Sequence, residues 1–220
     1  MTEGTKGELF EQLARVGKAL GNSTRLELIE LLTQGPRGVH EIAEAAGLNM
    51  TTASAHLQTL KRAGLVTASR DGTTIRYSLT DSDVAALFGC LADAATRHLT
   101  DVGAAARRYL GPEDTPCIDR EELIRRTTLG NVLVLDVRPS LEYIAGHIPG
   151  AVSIPYAELP VRMGELPCDT DIVAYCRSAY CAFAHRAVRL LTGAGRRAVR
   201  LTDGILEWRQ SGHPLLGSVE

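Results

Sequence analysis

The chain contains no apolar run approaching the roughly 18 residues that a membrane span needs. It has no cysteine between Met1 and Gly89 and no lysine after Lys61. The first absence sets aside a helical membrane protein, so no membrane partner is expected. The second removes any thiolate metal site from that stretch. Five cysteines, an odd number at irregular spacing, do not make a secreted disulfide framework. The polar, acidic opening MTEGTKGELFEQ does not read as a signal peptide. A cytoplasmic chain is therefore expected, in which a cysteine is either reactive or merely buried. A length of 220 residues, 45% hydrophobic and 23% charged, suits two small globular domains.

The net charge of -2 hides an asymmetry. Residues 50–78 carry Lys61, Arg62, Arg70 and Arg76 against Asp71 alone. A local basic patch matters more for nucleic-acid binding than the total does. The second half takes all its positive charge from arginine and is on balance acidic, so it is not expected to bind DNA.

In the first half, Leu9, Leu13, Val16, Leu20, Leu26, Ile29 and Leu32 recur at helical spacing, broken at Gly21-Asn22. Asn22 or Ser23 can cap the second helix. A short helix from Val39 to Ala46, the turn Gly47-Leu48-Asn49 and a helix from about Met50 to Ala63 follow the helix-turn-helix pattern. Leu65–Ala68 and Thr74–Leu79 read as strands around Arg70-Asp71-Gly72-Thr73, and Asp-Gly is a strong hairpin signal. A helix-turn-helix followed by a basic-tipped hairpin is a winged helix. Its second helix would present Thr51, Thr52, Ser54 and His56 to the major groove, where small hydroxyl side chains allow close approach. His56 is open between a base contact and a capping or phosphate contact. Arg70 and Arg76 on the wing would meet phosphate or the minor groove.

The stretches Ala19-Leu20-Gly21-Asn22-Ser23-Thr24-Arg25-Leu26, Ser54-Ala55-His56-Leu57 and Lys61-Arg62-Ala63-Gly64-Leu65-Val66 resemble the ArsR/SmtB family of bacterial repressors. The similarity covers about residues 8–108. It implies a homodimer held by the first and last helices and bound to a palindromic double-stranded operator. A last helix from Ser82 to Arg108 would carry the stripe Val84, Leu87, Leu91, Ala95, His98 and Val102. The chain departs from the family where ligands are sensed. No cysteine pair lies in the helix-turn-helix, and His98 and Asp101 lack an upstream Asp-x-His partner. No metal site is expected, and Cys90 reads as a small buried hydrophobe.

The turn-rich stretch 111–117 (GPEDTPC) is the expected linker between a 1–110 DNA-binding and dimerisation domain and a 118–220 domain. Beyond it, Asn131–Val137, Ala151–Ile154, Asp171–Tyr175 and Ala198–Leu201 read as strands, with helices between them. This predicts an α/β fold with a mostly parallel sheet, whose ligands sit at strand carboxyl ends. Cys176 follows the third strand and opens the loop Cys176-Arg177-Ser178-Ala179-Tyr180-Cys181, with a helix starting near Ala182. Backbone N–H groups of such a loop form an anion nest. The helix dipole and Arg177 would favour a thiolate or persulfide on Cys176.

Asp136-Val137-Arg138, Glu142-Tyr143, Gly146-His147-Ile148-Pro149-Gly150-Ala151 and Asp203-Gly204 with Trp208 and Gly212-His213-Pro214 flank this loop. Together they resemble the rhodanese superfamily over about residues 118–216. The resemblance implies that Cys176 accepts sulfane sulfur as a persulfide, with no other cofactor, while Asp136 and Arg138 brace the loop. Related phosphatases need an arginine six positions after the cysteine, where this chain has Ala182, so phosphate and arsenate chemistry is disfavoured. Cys181 stands where sulfurtransferases often have a basic residue or threonine. It is either a resolving thiol for Cys176 or an inward-facing apolar residue. The expected function is a transcriptional regulator sensing reactive sulfur or thiol oxidants through Cys176. The alternative is a sulfurtransferase enzyme using a thiosulfate or persulfide donor, with a DNA-binding domain for localisation or autoregulation.

Overall fold

The computed structural model describes residues 5–217. The first four residues of the polar opening stretch, and the last three of the expected second domain, lie outside the described residues. The chain forms two compact units that divide between Leu91 and Ala92, ahead of the turn-rich 111–117 segment.

The first unit contains α1 (Lys6–Leu20), α2 (Ser23–Thr33), β1 (Arg37–Gly38), α3 (Val39–Ala45), α4 (Met50–Arg62), β2 (Val66–Asp71), β3 (Thr74–Leu79) and the start of α5 (Ser82–His98). Local chemistry places the helix starts. The Thr5 hydroxyl accepts the Glu8 amide at 3.2 Å, and the Glu8 carboxylate accepts the Thr5 amide at 2.6 Å. Asn22 and Asn49 accept the amides of Arg25 and Thr52 at 3.1 and 2.8 Å. The buried side chains of α2, α3 and α4 close one core with Leu65, Val66 and Tyr77. By contrast α1 sends only Ala19 and Leu20 fully inward, leaving Leu9, Phe10 and Leu13 exposed.

The three strands run antiparallel in the order β1-β3-β2. Asp71 pairs with Thr74, so the wing turns through Gly72-Thr73 alone, with Gly72 at a φ of 59°. The hairpin is thus longer than expected, because Ser69, Arg70 and Asp71 pair across it.

Two expectations are corrected here. The last helix of the DNA-binding region is not continuous from Ser82 to Arg108. It ends at His98, Leu99 is extended, and α6 (Thr100–Leu110) begins anew. Neither glycine nor proline marks this break, so nothing in the local sequence signals it. Cys90 is exposed rather than buried, because it points away from the α5 stripe that turns Val84 and Ala85 inward.

The second unit includes α6, β4 (Cys117–Ile118), α7 (Arg120–Thr128), β5 (Val132–Asp136), α8 (Ser140–Ala145), β6 (Val152–Ser153), α9 (Leu159–Arg162), a short 3-10 turn, β7 (Asp171–Tyr175), α10 (Ala182–Gly193), β8 (Ala198–Leu201) and α11 (Ile205–Gln210). The five strands are parallel throughout, in the order β4-β8-β7-β5-β6. Alternation along central β7 divides the core. Ile172, Ala174 and Cys176 pack with the buried face of α10, while Val173 and Tyr175 pack with Leu123, Ile205 and Trp208. On α10, Arg189 donates to the carbonyls of Leu110 and Pro112 at 3.2 and 2.7 Å, and to Asp114 at 2.9 Å. That clasp draws the linker and the end of α6 into this unit. Among the described residues, no helix is long and apolar enough to cross a membrane.

His185 on α10 is buried, with Nδ1 3.3 Å from the Thr115 hydroxyl. Burial, aided by Arg200 and Arg189 and opposed by Asp114, pushes its pKa from 6.5 down to about 4. The unfolded chain therefore binds a proton there before the folded chain does. The stability this neutral histidine contributes is complete above pH 6.5 and is lost as the pH falls to about 4. Denaturant titrations should record a loss of stability across that window. His185→Gln should flatten that part of the profile; an unchanged profile in the variant would contradict the assignment.

Candidate functional site

In the first unit, Ala53, Leu57 and Leu60 form the buried side of α4. Helical geometry then spreads the expected DNA-reading residues over the rest of the surface. Thr51 points fully outward, with Ala55 and Gln58. Thr52 and His56 lie one turn apart on one flank, and Ser54 lies on the other. All remain at least partly accessible, but they do not form a single row. Gln58 was not singled out in the sequence. Its amide donates to the buried Tyr77 hydroxyl at 3.1 Å and ties α4 to the wing. At the wing, Arg70 is exposed and folds back on the Gly72 carbonyl at 3.1 Å. Arg76 is bound to the Pro36 carbonyl at 2.8 Å, so part of its donor capacity holds β1 in place.

In the second unit, the carboxyl end of β7 is fixed from below. Asp136, paired in register with Tyr175, accepts Nη2 of Arg138 at 2.6 Å and the Tyr175 hydroxyl at 2.5 Å. Arg138 also donates to the Gly146 carbonyl at 2.7 Å, and neither Arg138 nor Asp136 is exposed. The Ile148 amide in turn donates to Tyr175 Oη at 3.2 Å. Burial and the Asp136 carboxylate push the Tyr175 phenol well above its usual pKa, so it stays a proton donor. Asp136 thus reaches the loop through the residue that precedes Cys176.

Cys176 continues the β7 alternation and is almost wholly buried on the α10 side. Its sulfur is bonded to Cys181, which stands at the N-cap position of α10, with the two Cα atoms 6.0 Å apart. That separation lies within the ordinary range for a disulfide. The thiolate expected at Cys176 is therefore replaced here by a bridged sulfur.

Arg177 occupies a different position from the one its charge suggested. Its guanidinium makes a forked pair with the Glu142 carboxylate at 2.6–3.0 Å and lies over the Phe183 ring. Glu142 is buried, so its charge offsets that of Arg177 beside the loop. Three amides of the nest already have partners. Ala179 donates to Glu207 at 3.2 Å, Tyr180 to the Ser178 hydroxyl at 3.3 Å, and Cys181 to the Ser178 carbonyl at 3.1 Å. Ser178 is buried, whereas Ala179 and Tyr180 are half-buried, and Ala182 starts the buried face of α10.

Three loop partners were missed as site residues: Glu142, Glu207 and Gly204. The first and last sit inside the quoted flanking motifs, which was the available signal. Glu207 had none, because its role depends on α11 folding back over the loop. Glu207 also accepts the Gly204 amide at 2.8 Å. Burial raises its carboxyl above the usual range, against the pull of the Gly204 and Ala179 amides. Gly204 is required by close approach. A Cβ there would lie 2.3 Å from the Ser178 amide nitrogen and 2.5 Å from the Arg177 carbonyl carbon. The amides of Ile205 and Leu206 meanwhile hold the Cys176 and Arg177 carbonyls at 3.0 Å.

Two consequences can be measured. Asp136→Ala strands a buried guanidinium, so the second unit should lose about 3–5 kcal/mol in denaturant unfolding; a loss below about 1 kcal/mol would contradict the bracing role. Gly204→Ala should displace the loop backbone and speed alkylation of Cys176 in reduced protein, followed by mass spectrometry. An unchanged alkylation rate would contradict the tight approach.

Residues 119–211 match the model of the rhodanese-like domain, and residues 22–68 match that of bacterial regulatory proteins of the arsR family. The HTH-type transcriptional regulator Rv0324 of Mycobacterium tuberculosis is 54% identical over 211 residues, covering 96% of this chain and 92% of that protein. A sulfurtransferase of Allochromatium vinosum is 37% identical over 100 residues, covering 45% of this chain and 92% of that protein. Among solved structures, the homodimeric winged helix-turn-helix DNA-binding domain of Mb0332 from Mycobacterium bovis is 48% identical, with a TM-score of 0.42. It covers 46% of this chain and 95% of that one. The full-length relative and the two matched domains together place this chain in the ArsR family of transcriptional regulators, in a form that carries a rhodanese-like domain.

Proposed function

We propose that this ArsR-family regulator is a cytoplasmic homodimer that binds a palindromic double-stranded operator and changes its affinity with the sulfur state of Cys176. The observation that carries the reading is the Cys176–Cys181 bridge at the strand-to-helix loop of the rhodanese-like domain. A second thiol within the same loop turns a sulfur-accepting cysteine into a two-thiol unit with two stable states.

The chemistry closes in two steps. Cys176 thiolate attacks the outer sulfur of a persulfide RSSH, forming Cys176–S–SH and releasing RS⁻, which takes up the proton lost by the cysteine. Cys181 thiolate then attacks the inner sulfur, forming the protein disulfide and releasing hydrosulfide. In sum, RSSH and two thiols give RSH, hydrogen sulfide and one disulfide; the sulfane sulfur takes the two electrons. Hydrogen peroxide would reach the same bridge through a sulfenic acid, yielding two waters. In this reading the carried persulfide sulfur is the only cofactor, and the small sulfur donor or oxidant is the signal.

Operator binding falls to α4 and the wing. Thr51, Thr52, Ser54 and His56 are accessible for groove contacts, with Arg70 and Arg76 beside them for the backbone. Dimerisation falls to α1 and α5, because Leu9, Phe10, Leu13 and Leu87 are exposed on those helices and a two-fold contact buries the same patch twice. Steady sulfurtransferase turnover is not favoured: the bridge consumes the nucleophile, and Arg177, the cation of the loop itself, is committed to Glu142.

Operator titrations followed by fluorescence anisotropy, with reduced, persulfidated and oxidised protein, test the reading. Affinity should shift with state in the natural protein, and Cys176→Ser should abolish the shift. A Cys176→Ser variant that still responds as the natural protein does would overturn it.

A further inference from the structure

The loop that carries the cysteine pair also holds the end of a helix. Tyr180, the neighbour of Cys181, places its hydroxyl against the hydroxyl of Thr96 on α5. Both residues belong to the second compact unit, and 84 positions separate them in sequence. The direction of this bond follows from what Thr96 already does. Its hydroxyl donates to the Ala92 carbonyl at 2.8 Å, which uses its one proton. Thr96 therefore accepts and Tyr180 donates.

We infer that the Tyr180–Thr96 hydrogen bond is a latch through which the sulfur state of the Cys176 loop sets the order of the last turns of α5. The inference rests on the proposed sensing function and names the positioning residues that carry its signal. The bridge fixes where Tyr180 can be. It pins both ends of a short loop, and between those ends Tyr180 is further held by its amide on the Ser178 hydroxyl. Reduction by a dithiol, which supplies two electrons and two protons and leaves as its own disulfide, gives two free thiols and removes that pin. The phenol then loses its fixed reach to Thr96.

The helix end has little else to hold it. His98 and Leu99 are exposed, and the helix stops at His98 without a glycine or proline. The far end of α6, by contrast, is clasped by Arg189. The same α5 begins at Ser82 and turns Val84 into the core of the winged-helix unit. A change of order at its last turns is thus passed along one continuous helix. Coupling of this kind is a difference in free energy between two states of the helix, typically worth about 5–150-fold in affinity.

The test uses the full chain as natural protein, Tyr180→Phe, Thr96→Val and Thr96→Ser. Intact mass checks that every variant still forms the Cys176–Cys181 bridge. Amide hydrogen exchange over residues 92–98 should be slower in the bridged than in the reduced natural protein. In Tyr180→Phe and Thr96→Val it should be equally fast in both states, with Thr96→Ser behaving as the natural protein. The ratio of operator affinities between bridged and reduced forms should fall to within about twofold of unity in the first two variants and survive in the third. Equal exchange in the two states of the natural protein overturns the latch, whatever happens to DNA binding. So does a natural affinity ratio retained in Tyr180→Phe and Thr96→Val. Exchange that follows the sulfur state while operator affinity does not would leave the latch standing and overturn the sensing function.

Discussion

The buried pair of Asp136 and Arg138 is the constraint on which the rhodanese-like unit depends. Neither side chain meets solvent, and a lone charge at that depth would be costly. Each therefore compels the other, and Asp136 further accepts from Tyr175 while Arg138 donates to Gly146. The result is a strand end that cannot slide. Tyr175 is held from one face of the sheet, so Cys176, one residue on, must turn to the opposite face. The position of the Cys176 sulfur is thus set by a network that never touches it.

Above this fixed end, the loop is built from carboxylates rather than from free cations. Glu142 takes the Arg177 guanidinium and Glu207 takes the Ala179 amide. With two amides satisfied inside the loop and a third by Glu207, these three donors are not left over for a small free anion in the bridged state. The site is better arranged to hold a sulfur–sulfur bond in one place than to attract a charged donor repeatedly. That distinction separates a device read by its state from one valued for its turnover.

Much of the fold was legible in the sequence. The periodicity of α2 and α4, the cap offered at Asn22, the Asp-Gly wing and the near-continuous apolar run of β5 are local signals, each with a local cause. Four of the five strands of the second unit were legible, the central ones because a sheet covered on both faces needs apolar residues at nearly every position; the two-residue β4 was not, since it overlaps the expected linker. The break at Leu99 was not, because neither flanking residue forbids a helix. The exposure of Cys90 was not either, since it depends on which face of α5 finds a partner. On α4, the residue types suited to DNA were plain, but their separation onto two flanks follows from where Ala53, Leu57 and Leu60 are buried.

The sequence by itself determined the two-part plan, the winged-helix and rhodanese-like folds, and the presence of two cysteines at the ends of one loop. Composition, spacing and turn chemistry suffice for the winged helix, the parallel sheet and the loop, because each is written within a short stretch of chain; the rhodanese-like character of the second fold rested on the resemblance of its flanking motifs. Only the tertiary structure decided how the charges and hydroxyls around that loop are spent. Arg177 meets Glu142, Glu207 meets Ala179, Gly204 lies under Ser178, and Tyr180 reaches Thr96. Each partner is distant along the chain; burial makes the first three pairings obligatory once the core has closed, whereas the exposed Tyr180–Thr96 pair depends on where the loop holds Tyr180. A spacing rule carries no information about such pairings, since they follow from packing and from the cost of leaving a polar group unsatisfied.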